Sequence, residues 1–157
     1  MPNLWFQTVH WVYLTAMALW IGGTAFFGFG VAPVLFRDLE RDQAGALVQR
    51  MLERFDKLKH VLAPLILLAS LLRAWFWQPL NLWAGLRWLA LAGMFCAHFG
   101  IVLFLLPPMR RLRAEIGALA AAPPDLPARV RFNQLHHRAS LLTRLGLVAG
   151  LLALFLS

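Results

Sequence analysis

Five histidines are the residues of this 157-residue chain with the clearest capacity for chemistry. Imidazole nitrogens ligate transition metals and haem iron, and they exchange protons near neutral pH. One of the five lies inside an apolar run, where ionisable residues are costly and tend to be functional. The others lie near the ends of apolar runs. They are His10, His60, His98, His136 and His137, of which His98 is the one inside a run.

This distribution predicts a cofactor site inside a helical bundle, because bundles build such sites from side chains on facing helices. We expect the ligands of haem iron or of a metal ion to come from His98, His136, His60 and His10. Arg144, inside the last apolar run, would then pair with an anionic group such as a propionate. In the alternative interpretation the interfacial histidines are only solvated, and His98 is bonded to a neighbouring helix.

Met94 precedes His98 by one helical turn, so the two side chains share a helix face. A metal site formed by Met94, His98 and His136 would include a sulfur ligand, which suits copper(I). Cys96 points roughly 200° away from His98 around the helix axis and adds no ligand. The cofactor is unknown at this point, with haem b preferred and copper the lesser alternative.

The elements that position these residues are membrane spans. Hydrophobic residues make up 61% of the chain and charged residues 14%, against about 45–50% and about 25% in ordinary soluble domains. The composition and the apolar runs predict an all-α fold, an integral membrane four-helix bundle with helical extensions on the cytoplasmic side. One domain over 1–157 would contain spans at about 5–36, 60–78, 82–106 and 139–156, an amphipathic helix at about 41–58 and a connection at about 109–138.

The distribution of positive charge predicts the orientation. All 15 basic residues except Arg73 and Arg87 lie in or beside the connections that follow the first and third spans. The positive-inside rule makes those connections cytoplasmic and puts both termini outside. We expect the bacterial inner membrane, with Arg73 and Arg87 snorkelling to its outer interface. An aromatic belt at that interface would contain Trp5, Trp11, Trp75, Trp77, Trp83 and Trp88.

We expect the net charge of +8 to interact with anionic lipid headgroups at the cytoplasmic face, and not with nucleic acid. Gly146 and Gly150 form a GxxxG pair, which favours close helix packing, either within the bundle or in a homo-oligomer. No phosphate-binding loop, dinucleotide fingerprint or catalytic triad is recognisable. Whether the protein is an enzyme is therefore left open.

Two segments, at either end of the chain, resemble a known family. The residues concerned are His10, Leu35, Phe36, Arg37, Phe132, His136 and Ser140. The pattern is similar to bacterial relatives of the transmembrane-protein-205 family, a four-span domain of uncharacterised function. That pattern also has a polar amide late in the third span, where this sequence is apolar.

A looser likeness links His10, Trp20, Gly22 and Gly23 to the HemJ-type and copper-resistance D membrane proteins. The HemJ likeness implies an association with haem. Three hypotheses follow: a bundle that binds haem or a metal through histidine, a docking or assembly factor without a cofactor, and a small-solute or metal transporter that acts as an oligomer.

Overall fold

The computed structural model describes residues 4–79, 81–117, 122–123 and 125–157. Every regular element among these residues is a helix, which confirms the predicted all-α class. Two π-helical segments, Phe26–Val31 and Ile101–Leu105, each join two α-helices into one rod. The α-helices are α1 (Leu4–Ala25), α2 (Ala32–Asp38), α3 (Arg41–Phe76), α4 (Leu82–Gly100), α5 (Leu106–Ile116) and α6 (Pro127–Phe155).

Four rods are long and apolar enough to cross a membrane: Leu4–Asp38, Arg41–Phe76, Leu82–Ile116 and Pro127–Phe155. Only 11% to 39% of the most apolar window of each rod is buried inside the bundle. The remaining apolar surface needs an apolar surrounding, which lipid provides. The chain is therefore a multi-pass membrane protein. The single helix α3 covers both the stretch predicted to be amphipathic and the second predicted span.

One end of the bundle contains the start of α1, the end of α3, the start of α4 and the end of α6. Phe6 on α1 meets Trp77, which follows α3, edge to face, with 5.3 Å between their ring centroids. The Tyr13 hydroxyl on α1 donates to the main-chain oxygen of Ala153 on α6 at 3.4 Å. We refer to it as the aromatic end, because exposed tryptophans such as Trp75 and Trp83 lie there.

The opposite end contains α2, the start of α3, α5 and the start of α6. Here Arg110 of α5 pairs with Glu53 of α3, with 2.9 Å between the guanidinium and carboxylate atoms. Arg113 donates to the side-chain oxygen of Gln49 at 3.0 Å. These contacts fasten α5 against α3. We refer to it as the charged end, since all seven acidic residues belong to its elements and connections.

The helix backbones approach most closely between α4 and α6 and between α1 and α3. Gly146 and Gly150 of α6 make the first approach possible. A Cβ atom at Gly146 would lie 3.1 Å from the Cβ of Ala97, and one at Gly150 would lie 3.0 Å from the Met94 sulfur. Two roles were predicted for this glycine pair, and the structure shows one of them, close packing within the bundle. Homo-oligomerisation stays a prediction.

The π-helical segments end shortly before Pro33 and Pro107. In each segment the residue that follows donates its N–H to the carbonyl five residues earlier, Ala32 to Phe27 and Leu106 to Ile101. Proline lacks an N–H group and crowds the carbonyl four residues before it, so a widened turn relieves the helix there.

Candidate functional site

Two of the predicted ligands meet between helices, where the exposed His60 on α3 contacts the buried His98 on α4. Their ring centroids are 5.8 Å apart and their planes are inclined by 66°. Phe99 contacts both rings, at 6.0 Å from His60 and 5.3 Å from His98 between centroids. We call these two histidines the His60–His98 pair. Helices α3 and α4 thus face each other through long side chains.

Each imidazole of the pair has one nitrogen available. The Nδ1 of His60 is 2.6 Å from the main-chain carbonyl oxygen of Asp56, one turn earlier. A carbonyl only accepts hydrogen bonds, so Nδ1 carries the proton and Nε2 of His60 is left with its lone pair. The Nε2 of His98 is buried and has no hydrogen-bond partner among the described residues. A buried polar atom of this kind calls for a water, an ion or a ligand.

Lys59 introduces a positive charge beside the pair. Its side chain is only 10% exposed. The ammonium lies 4.7 Å from the ring centroid of Phe55 and 5.5 Å from that of Trp20, a cation–π arrangement. The Asp56 carboxylate is 4.0 Å away. Lys59 and His98 line the same cavity.

A small cavity adjoins one histidine of the pair and a larger groove adjoins the other. A cavity of about 30 Å³ adjoins His98, enough for roughly one water molecule. Its walls include Trp20, Thr24, Lys59, Met94 and Thr143. A groove of about 480 Å³ adjoins His60 between α3 and α5. Charged side chains line this groove, namely Glu53, Asp56, Lys57 and Arg110.

The structure does not bring the other predicted ligands to the pair. His136 is exposed and stacks on Phe132 with 6.2 Å between ring centroids. Arg144 is exposed. His10 is at the aromatic end, stacked on Phe6 at 5.7 Å. Besides His60, the predicted residue that joins His98 is Met94, on the wall of the same cavity.

The sequence interpretation missed Lys59 and Asp56 as neighbours of His60. The spacing could have indicated this, because Asp56 precedes Lys59 by three residues and His60 by four, and residues so spaced lie on one helix face. It also missed the surroundings of two arginines. The prediction that Arg73 and Arg87 snorkel to the interface is wrong, because their side chains are 1% and 2% exposed inside the bundle. Spacing along a helix gives the depth of a residue but not the direction in which it faces.

The fold defines a class: a four-span helical membrane protein in which His60 and His98 meet between the second and third spans. A protein-family model described as a domain of unknown function, DUF4149, matches residues 15–118. The chain therefore belongs to the DUF4149 family. The matched segment contains His60 and His98 and excludes α6. Searches of the curated proteins and of the solved structures found no match. No comparison shows the likeness to the transmembrane-protein-205 family, to HemJ-type proteins or to copper-resistance D proteins.

Proposed function

We propose that this membrane protein binds one transition-metal ion through His60 and His98. The observation that carries the proposal is the 5.8 Å separation of two imidazole centroids on different helices. Two metal–nitrogen bonds of ~2.1 Å bring the centroids of two ligating rings to roughly 5–6 Å from each other. The rings are therefore already at the distance that one shared ion requires.

The hydrogen bond of His60 supports this assignment. A histidine that ligates a metal usually donates its second N–H to a carbonyl or carboxylate, which fixes the tautomer and the ring orientation. The bond from Nδ1 of His60 to the Asp56 carbonyl has this arrangement. The unpartnered Nε2 of His98 is the second donor atom with a lone pair to offer. Imidazole nitrogen suits zinc, copper, iron and nickel.

The site would be open and exchangeable. Within the described ranges no group of three or more His, Cys, Asp or Glu side chains could hold a metal ion. The protein would therefore supply two imidazoles, and water or a guest group would fill the other positions. Catalytic metal sites keep such an open position, whereas structural sites close with four protein ligands. The groove beside His60 gives access from the charged end.

The space between the two imidazole rings does not fit haem. The cavity beside His98 measures about 30 Å³, and the His60–His98 pair is in ring contact. A porphyrin plane between the two rings would have to push α3 and α4 apart. We therefore propose a metal ion that is not held in a porphyrin.

Replacing Lys59 tests the metal-binding proposal, because its buried ammonium beside His98 would repel a bound metal cation. The Lys59→Met variant keeps the length of the side chain and removes its charge. It should raise the affinity for the ion on the order of tenfold, as expected for one charge at short range in a partly screened interior. The matched control is Lys57→Met, since Lys57 is exposed on the same helix.

The test is a titration of metal-free protein in detergent with Co²⁺, Zn²⁺ and Cu⁺, together with elemental analysis. Wild type should bind one ion per chain. His60→Ala and His98→Ala should each lose at least tenfold in affinity, while His136→Ala should keep it because that side chain is distant from the pair. Binding that is unchanged in His98→Ala, or a Lys59→Met variant that binds more weakly, would refute the proposal. A Soret band that depends on His98 would favour haem instead.

A further inference from the structure

A second polar cluster lies at the aromatic end, where Arg73 of α3 and Arg87 of α4 are both buried. Their side chains are 1% and 2% exposed. Arginine stays protonated in proteins, so the bundle holds two like charges. The two guanidinium groups interact with each other electrostatically. Burying one such charge without a counter-ion already costs substantial free energy.

No acidic side chain can neutralise this pair. The seven acidic residues all occupy positions 38–56, 115 and 125, which belong to the charged end. Arg73 stacks on Tyr13, with 4.8 Å from its guanidinium carbon to the ring centroid. Its Nη2 donates to the main-chain oxygen of Ser157 at 2.8 Å. These contacts leave most of the guanidinium donors unused.

The unused donors of both arginines are buried. In the part of the chain that the structure describes, Nε and Nη1 of Arg73 have no acceptor, and neither do Nε and Nη2 of Arg87. The hydroxyl of Ser70, one turn before Arg73 and 1% exposed, has no partner either. An unmet charged donor is costly, since it has lost its water without gaining an acceptor. Four guanidinium nitrogens and a hydroxyl are therefore left with hydrogen-bonding capacity that suits negatively charged oxygen atoms.

We infer that an oxyanion, a carboxylate or phosphate group, binds between Arg73 and Arg87. The planar fork of a guanidinium matches two oxygens of such a group and gives short, charge-assisted hydrogen bonds. Exposed tryptophans at the same end, including Trp11, Trp75 and Trp83, are typical of headgroup depth. Both a phospholipid phosphate and a water-soluble anion reach that depth. This site is separate from the His60–His98 pair and does not depend on the metal proposal.

Thermal unfolding of the delipidated protein in detergent tests the inference. Phosphate and citrate are compared with chloride at matched pH and ionic strength. At a hundredfold excess over the dissociation constant, wild type should unfold on the order of 5 °C higher. Arg87→Gln should lose this shift. Without an anion, this variant should be at least as stable as wild type, because one of two repelling charges is gone.

Two further variants keep the test decisive. Arg87→Lys retains the charge but not the fork, so its shift should shrink without vanishing. Arg144→Gln removes an exposed arginine and should keep the full shift. Native mass spectrometry of protein extracted in mild detergent distinguishes the sources. A phospholipid retained by wild type and lost in Arg87→Gln identifies a lipid, whereas a shift with soluble anions and no retained lipid identifies a soluble ligand.

The inference would be overturned if wild type showed neither a shift nor a retained lipid. The chain's own groups, such as the main-chain oxygen of Ser157, would then complete the cluster. A shift or retained lipid of equal size in Arg87→Gln would also overturn it, since the anion would then bind elsewhere.

Discussion

Two adjacent glycines on α1 allow a test of how α1 packs on α3. A Cβ atom at Gly23 would lie 2.3 Å from Cζ and 2.5 Å from Cε2 of the Phe55 ring, whereas one at Gly22 would meet no atom of the described residues within 4 Å. The substitutions Gly22→Ala and Gly23→Ala therefore share their chemistry and their helix. They differ only in the contact with Phe55.

The loss of stability expected for Gly23→Ala follows from that contact. Carbon atoms pack at about 3.5–4.0 Å, so the Phe55 ring would have to move by over an ångström. The ring has little freedom, because it is 8% exposed and confined between Phe27, at 5.1 Å between centroids, and the ammonium of Lys59, at 4.7 Å. Overpacking of this kind costs about 1–3 kcal/mol. Both variants gain the same helix propensity of about 1 kcal/mol, which cancels in the comparison.

We expect Gly23→Ala to be less stable than Gly22→Ala by about 1–3 kcal/mol. The assay is equilibrium unfolding in mixed micelles with increasing mole fraction of sodium dodecyl sulfate, followed by circular dichroism. In a double-mutant cycle, Phe55→Leu should recover most of the loss in Gly23→Ala, because the clashing ring atoms are absent. Equal stability of the two alanine variants would mean that α1 does not rest on Phe55 as described.

Two other features of the bundle give predictions of the same kind. Gly146→Val should destabilise the protein by about 1–3 kcal/mol, because the valine side chain would press on Ala97. The control Gly100→Ala adds a Cβ that meets none of the described residues, so it should be neutral or mildly stabilising in the same unfolding assay. A neutral Gly146→Val would contradict the close approach of α6 to α4. Cys96 is an exposed thiol on the apolar helix α4, so a charged maleimide should leave it unlabelled in intact membrane vesicles and label it after solubilisation in sodium dodecyl sulfate. Rapid labelling in intact vesicles would place that face of α4 in water instead of lipid.

The fold could be predicted from the sequence because its main determinant is local. Apolar runs bounded by charged or proline-rich segments specify helices that must lie in lipid, and the all-α bundle follows. The π-helical segments could not be placed as directly. They depend on how the backbone relieves Pro33 and Pro107, and the relief falls several residues before each proline.

The candidate site was only half accessible to sequence reasoning. The depths of His60 and His98 follow from helix rise, and both were predicted as ligands. Their contact depends on the rotation of α3 and α4 about their axes, which packing at positions such as Gly23 and Gly146 helps to set. The rotation of α4 also buries Arg87, and the rotation of α6 exposes His136. Neither outcome can be read from spacing along one helix.

The central claim is that His60 and His98 hold one metal ion between α3 and α4. X-ray absorption spectroscopy of the zinc-loaded protein tests it most directly, because imidazole rings give a recognisable scattering pattern. Wild type should show two imidazole nitrogens in a first shell at ~2.0–2.1 Å, and His98→Ala should show one. A first shell without imidazole, or protein that retains no zinc after removal of the free ion, would contradict the claim.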